Sequence, residues 1–154
     1  MVYISHPSII QFEYNKITDY IYLGSNQCCV IHFKKELLDK NICADFSVDN
    51  EYVDRPFGVD YFFWLPIVDK KTPSFDELLV GVKTLKLFVD SKIKTYVHCK
   101  RGHGRSPTVI AGYFILEGNS YSNAIKKIRE KRNIHMSREQ ITFLKKFEIF
   151  VRDL

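Results

Sequence analysis

The ten residues His98-Cys99-Lys100-Arg101-Gly102-His103-Gly104-Arg105-Ser106-Pro107 constrain this chain more than any other stretch. The segment before them, 95–98, is short and apolar enough for a buried strand. The segment after them, 107–117 (PTVIAGYFILE), is apolar nearly all round, as a central buried helix is. A cysteine therefore leaves a strand, and six residues later an arginine precedes a helix start. Gly102 and Gly104 let the backbone between them curl so that successive N–H groups point inward, making a concave nest for an oxyanion. Pro107 suits the first helical turn, and the helix N-terminus adds positive partial charge. Such a loop selects anions.

Its side chains extend that reading to chemistry. Dipoles and cations around Cys99 favour the thiolate, the nucleophilic form of the side chain. Arg105 offers a planar fork that takes two phosphate oxygens at once, which a lysine cannot do. In-line attack of sulfur on phosphorus and hydrolysis of the resulting cysteinyl-phosphate is the reaction this pair supports. An alkoxide or phenoxide leaves poorly unless it is protonated, so an acid is needed from elsewhere in the chain. Asp69, which follows a strand exit in LPIVDKKTP, is the best candidate, with Asp60 and Asp76 as alternatives. The loop itself would hold the phosphate through Lys100, Arg101, Gly102, His103, Gly104 and Arg105. His98 reads equally as a strand histidine satisfied by its neighbours, and Ser106 as the N-cap of the helix that Pro107 opens.

The rest of the chain alternates strands and helices. Residues 17–24 read as a strand stopped by Gly24. Asn26 is placed to cap a helix running to about 40, with Val30, Phe33 and Leu37 on one face. Segments 42–48 and 59–68 read as strands, the second exiting at Pro66. Ser74 and Glu77 form a capping box for a helix to about 91, and Ser137 and Gln140 form another for the last helix. A helix over 123–132 lies between, and its basic run reads as a solvated face. Tyr61, Phe62, Phe63 and Trp64 read as sheet and core. This order predicts one α/β domain over 1–154, a central mixed sheet flanked by helices.

Composition narrows the classes further. With 154 residues, 45% hydrophobic and 27% charged, the chain is long enough for a single core and too ordinary for a disordered or membrane-spanning protein. No apolar run reaches the length of a bilayer, and 1–10 lacks the marks of a signal peptide, so a cytoplasmic monomer is the expectation. The four cysteines (Cys28, Cys29, Cys43 and Cys99) match neither a disulfide framework nor a zinc pattern, and no metal or cofactor is expected. Cys43, on a strand expected to neighbour that of Cys99, is a candidate for a protective disulfide with it. A net charge of +5 favours anionic ligands without calling for nucleic acid.

His98, Cys99, Arg105 and Ser106 fit the signature of the dual-specificity branch of the protein tyrosine phosphatases, which the chain resembles over nearly its whole length. The resemblance implies a phosphatase fold and a shallow pocket. It gives Asp69 the general-acid role, His98 a part in setting the thiolate, and Ser106 a part in breakdown of the phospho-enzyme. Asn50-Glu51-Tyr52 and Val97-His98-Cys99-Lys100 also resemble the phosphatidylglycerophosphate phosphatase branch, and Lys100 and His103 resemble tensin-type phosphoinositide phosphatases. The partners implied are phosphorylated proteins, with phosphorylated lipid headgroups as the alternative. A phosphate-binding module without turnover is the reading from another class, disfavoured because Cys99 and Arg105 are both present.

Overall fold

The computed structural model describes residues 11–27 and 33–154. Ten elements follow one another: β1 (Tyr14–Lys16), β2 (Ile21–Gly24), α1 (Lys35–Leu38), β3 (Ala44–Asp49), β4 (Tyr61–Ile67), α2 (Phe75–Asp90), β5 (Thr95–His98), α3 (Arg105–Leu116), α4 (Tyr121–Arg129) and α5 (Arg138–Arg152). The sheet order is β1-β2-β5-β3-β4, antiparallel only between β1 and β2. The mixed five-stranded sheet flanked by helices is the α/β domain expected.

Four parallel strands have one consequence for function. The loops leaving β2, β3, β4 and β5 all emerge at the same carboxyl edge, where open α/β sheets collect their ligands. The main core lies between the sheet and α2–α5, with Phe46, Val97, Ile110, Leu144 and Phe147 fully buried. A smaller cluster of Tyr22, Phe33, Leu37, Ile42 and Tyr96 forms on the other face. Helix α3 is buried along Arg105–Ile115, as its uniformly apolar sequence requires. Both capping boxes form, Ser74 with Glu77 and Ser137 with Gln140.

Several local readings are corrected. Of the strand expected over 17–24, only 21–24 is strand (β2); 17–20 form the turn of the β1–β2 hairpin, where the Thr18 hydroxyl accepts from the N–H groups of Tyr20 and Ile21. The helix expected from Asn26 to about 40 falls partly on positions 28–32, Cys28, Cys29 and Val30 among them, which lie outside the described residues; the described part shows α1 over Lys35–Leu38, and the Asn26 side chain contacts His98. The helix expected over 123–132 is α4, which starts two residues earlier behind a Ser120 cap and ends at Arg129. Phe63 packs on the core, whereas Tyr61, Phe62 and Trp64 are 45%, 40% and 38% exposed because β4 is an edge strand.

The pairing with Cys43 fails on register. The Cys43 N–H bonds the Lys94 carbonyl at 3.1 Å, at the amino end of β5, while Cys99 follows its carboxyl end. Five residues of strand separate those levels, about 16 Å at roughly 3.3 Å per residue, and a disulfide needs Cα atoms within about 7 Å.

Phe147 is fully buried beside Phe75, Phe143 and Phe150, at the contact of α5 with the core. Phe147→Ala is expected to cost about 3–5 kcal/mol, read as a lower urea midpoint at unchanged slope. A loss under 1 kcal/mol would show that α5 is not packed as described.

Candidate active site

The loop after β5 is defined by where its carbonyls go. Lys100 O accepts from Asn26 N–H (3.1 Å), and Arg101 O and Gly102 O accept from Arg132 Nη2 and Nε (2.8 and 3.0 Å). His103 O accepts from His135 N–H (3.0 Å), and Gly104 O from the N–H and hydroxyl of Thr108 (3.0 and 2.8 Å). Five successive carbonyls thus face outward, and the N–H groups between them are left to the inside of the curl. Gly102 sits at φ +69°, and a Cβ there would lie 2.5 Å from the Gly24 carbonyl oxygen, so glycine is required twice over.

At the centre is Cys99, 4% exposed. Its sulfur accepts from Gly102 N–H at 3.3 Å and lies 3.1 Å from Ser106 Oγ. Ser106 is therefore not a cap: Gly104 occupies the N-cap position, and the Ser106 hydroxyl, one turn residue further in, is turned to the sulfur.

Arg105 is 2% exposed and held from several sides. Its Nη1 donates to Glu51 Oε2 and to Ile67 O, both at 2.9 Å; Nη2 is 3.4 Å from Asp49 Oδ1, and Nε is 3.6 Å from Asp69 Oδ1. Burial pushes the Glu51 carboxyl up, but the hydrogen bond and charge of Arg105 and two backbone N–H groups together outweigh it and leave the carboxyl below its usual range. Asp49 goes the other way: burial dominates over the charges of His98 and Arg105, and its pKa is pushed up to about 6.

Asp69 lies in the turn after β4, its side chain 62% exposed, on the rim of a cleft of about 540 Å³ that also presents Cys99, Lys100, Arg101, His103, Gly104 and Arg105. Helix α5 steadies this turn, with Ser137 Oγ donating to Lys70 O (3.3 Å) and Gln140 Nε2 to Lys71 O (3.4 Å). The alternatives do not reach the cleft. Asp60 bonds the Cys43 carbonyl at the far end of the sheet, and Asp76 is exposed in the first turn of α2. His98 is 1% exposed and lies behind the loop, its Nε2 2.7 Å from Asp45 Oδ1 and its Nδ1 2.9 Å from Asn26 Oδ1.

Sequence reading missed four groups here. Arg132 belongs to the basic run taken for a solvated face, yet it is 6% exposed, grips the loop and pairs with Glu13 at 3.1 Å. Glu51 and Asp49 sit at and beyond the end of β3, and His135 lines the cleft ahead of α5. None follows a spacing that marks a site; only the topology brings them together.

The one group of three candidate metal ligands among the described residues, Asp45, Asp54 and His98, lies within 4.8 Å. An ion bonded to two of these at about 2.0–2.2 Å would hold them roughly 3.3 Å apart in tetrahedral geometry, so the 2.7 Å contact of His98 with Asp45 fits a hydrogen bond better.

Comparison with known proteins bears on the fold and the family. The crystal structure of PTPMT1 superposes with a TM-score of 0.77 at 26% identity, covering 92% of this chain and 97% of that one. A mouse putative dual specificity phosphatase crystallised with zinc tungstate shares the fold, with a TM-score of 0.79 at 17% identity over 97% and 95% of the two chains. Mouse protein tyrosine phosphatase type IVA 2 is 25% identical over 94% of this chain and 89% of its own. Human phosphatidylglycerophosphatase and protein-tyrosine phosphatase 1 is 35% identical over 71% of this chain and 60% of its own. The match to mouse type IVA 3 is 37% identical but spans only 36% of that protein and 40% of this one. The fold is that of the protein tyrosine and dual-specificity phosphatases. Residues 21–119 match the family described as polymorphic toxin system, DSP-PTPase phosphatase, and the chain belongs to it.

Asp49 gives this site a testable pH dependence. Its folded pKa of about 6 lies above the ordinary 3.8, so its contribution to stability is full below pH 3.8 and is lost as pH rises through 6. At pH 7 the buried charge costs on the order of 3 kcal/mol. Asp49→Asn is therefore expected to melt higher than wild type at pH 7, with the advantage fading by pH 4. An advantage independent of pH would remove the buried charge as its cause.

Proposed function

We propose that the whole chain acts as one catalytic domain that hydrolyses phosphotyrosine and phosphoserine/threonine in proteins through a cysteinyl-phosphate. The observation that carries this reading is a cysteine sulfur at the centre of a loop whose carbonyls are all held outward, with the Arg105 guanidinium and the Asp69 carboxylate at its rim. Inward N–H groups and Arg105 would take the equatorial phosphate oxygens. The Cys99 sulfur attacks phosphorus in line, the P–O bond to the leaving group breaks, and Asp69 delivers its proton to the departing oxygen. Water then attacks phosphorus, Asp69 takes its proton, and the P–S bond breaks to return the thiolate. Ser106 Oγ, 3.1 Å from the sulfur, would stabilise that departing thiolate by hydrogen bonding.

Electrostatics around Arg105 support the assignment. Glu51 and Ile67 O hold its Nη1, so the fork is oriented before substrate arrives and little ordering is left to do on binding. His98 would act from behind the loop rather than by touching substrate.

Lipid phosphomonoesters are the second reading, favoured by a specific feature. Lys70, Lys100, Arg101, His103 and His135 all line the cleft, with Asp69 its only acid. PTPMT1, which shares the fold, has been crystallised with PI(5)P. Such a rim suits a headgroup that carries charge beyond the phosphate being cleaved.

Two measurements test the proposal. Cys99→Ser is expected to abolish turnover of an aryl phosphate while tungstate still binds; retention of a few per cent of wild-type turnover would refute the covalent route. Asp69→Asn is expected to slow alkyl phosphates by about two to four decades and aryl phosphates with good leaving groups far less. A uniform loss would take the acid role from Asp69. Comparison of phosphopeptides with PI(5)P and phosphatidylglycerophosphate ranks the two substrate classes.

A further inference from the structure

A carboxylate in the middle of a central parallel strand is unusual, because both faces of such a strand are dry. Asp45 is the second residue of β3, between Ala44 and Phe46, and is fully buried. Its Oδ1 is 2.7 Å from His98 Nε2, and a second carboxylate, Asp54 from the loop after β3, approaches the same nitrogen at 3.2 Å. The other ring nitrogen, Nδ1, faces the Asn26 carbonyl oxygen at 2.9 Å. Tyr96 stacks on the ring at 5.2 Å. With Asp45 ionised, every polar atom in contact with the two nitrogens is an acceptor, and a neutral imidazole has only one N–H to give; burial raises the Asp45 carboxyl, and the charge and hydrogen bond of His98 oppose that rise.

We propose that Asp45 is a positioning residue: it holds His98 doubly protonated, and the imidazolium in turn fixes Asn26 and, through it, the first turn of the anion-binding loop. The relay runs Asp45 carboxylate, His98 ring, Asn26 side chain, then Asn26 N–H to the Lys100 carbonyl at 3.1 Å. Its importance for turnover rests on the phosphatase reading above; the charge state itself does not.

Turning the Asn26 amide over would present an N–H to a neutral His98, but its nitrogen is already committed. It donates to the Tyr52 hydroxyl and lies on the side of Asp49, where it favours the carboxylate. The charged groups around the ring are Asp45 and Asp49 from β3, Asp54 from the following loop, and Cys99 beside it on the chain, with Arg105 beyond Asp49. Three carboxylates against one distant guanidinium favour a cation at the ring. Burial alone pulls His98 down, yet Asp45 and Asp54 together leave it well above its usual value. Removal of one partner from a buried charge pair strands the other, which is why the aspartate and the histidine would be kept together.

The direct test is the 15N spectrum of the imidazoles in the wild-type protein, with His98→Gln to assign the signal. Both His98 nitrogens are expected to be protonated at pH 7.5; one unprotonated nitrogen there overturns the inference, whatever the enzyme turns out to hydrolyse. Asp45→Asn is nearly isosteric and keeps an acceptor while removing the charge, so His98 should lose its second proton at lower pH than in the wild type. Tungstate affinity should then be about tenfold below wild type at pH 8 and close to it at pH 5.5, a change of about 1.4 kcal/mol in binding. Asp45→Glu should recover part of the loss. Equal loss at both pH values would make Asp45 a packing residue only. Should Asp45→Asn fail to fold, Asp54→Asn and the wild-type spectrum still decide the charge state. A wild type that shows the imidazolium but neither binds tungstate nor turns over aryl phosphate would sink the phosphatase reading and leave this one standing.

Discussion

Each carbonyl from Lys100 to Gly104 has a donor outside the loop, and much of the carboxyl edge is arranged to supply those donors. Peptide planes turned that way have no choice but to aim their N–H groups at the centre. The donors come from the turn after β2, from α3 itself, and from the segment between α4 and α5. Parallel pairing of β2 and β3 with β5 is what brings these distant segments to one edge. A loop of the same sequence without Asn26, Arg132 and His135 around it would lack the partners that hold it open, because unpaired carbonyls buried against protein cost about 1–3 kcal/mol each.

A site built to attract anions must also avoid collapsing on its own acids. Arg105 is surrounded by Glu51, Asp49 and Asp69, and the three carboxylates are not equivalent. Glu51 makes a direct hydrogen bond and stays ionised, Asp49 is buried without a well-formed hydrogen bond, and Asp69 stands in solvent at the rim. The differences follow from burial, and they leave one acid exposed at the rim while two others steady the guanidinium. His98 with Asp45 and Asp54 repeats the theme one layer deeper, where a cation is enclosed by acids and shielded from water.

Regular periodicity explains which elements were legible in the chain. The capping boxes at Ser74 and Ser137 and the apolar run of α3 are local signals, and each produced the expected helix. The hairpin at Thr18 was not legible, because a hydroxyl turn leaves no periodic trace. Edge position misled the reading of Tyr61, Phe62 and Trp64 in the same way: an aromatic strand reads as core whether or not a neighbour covers it.

Within one continuous loop, the glycines and the strand and helix that flank them bring Cys99, Arg105 and Ser106 around a common centre, with Gly102 at φ +69° making the curl. Asp69 followed from its position after a strand exit. What the sequence could not say is which charges would stand behind that loop. Asp45, Asp49, Glu51, Asp54 and Arg132 are scattered over almost ninety positions and belong to segments that look like ordinary strand, loop and basic helix. Only the sheet, with the exits of β2, β3, β4 and β5 at one edge, brings them together, and burial there then sets how strongly each one acts.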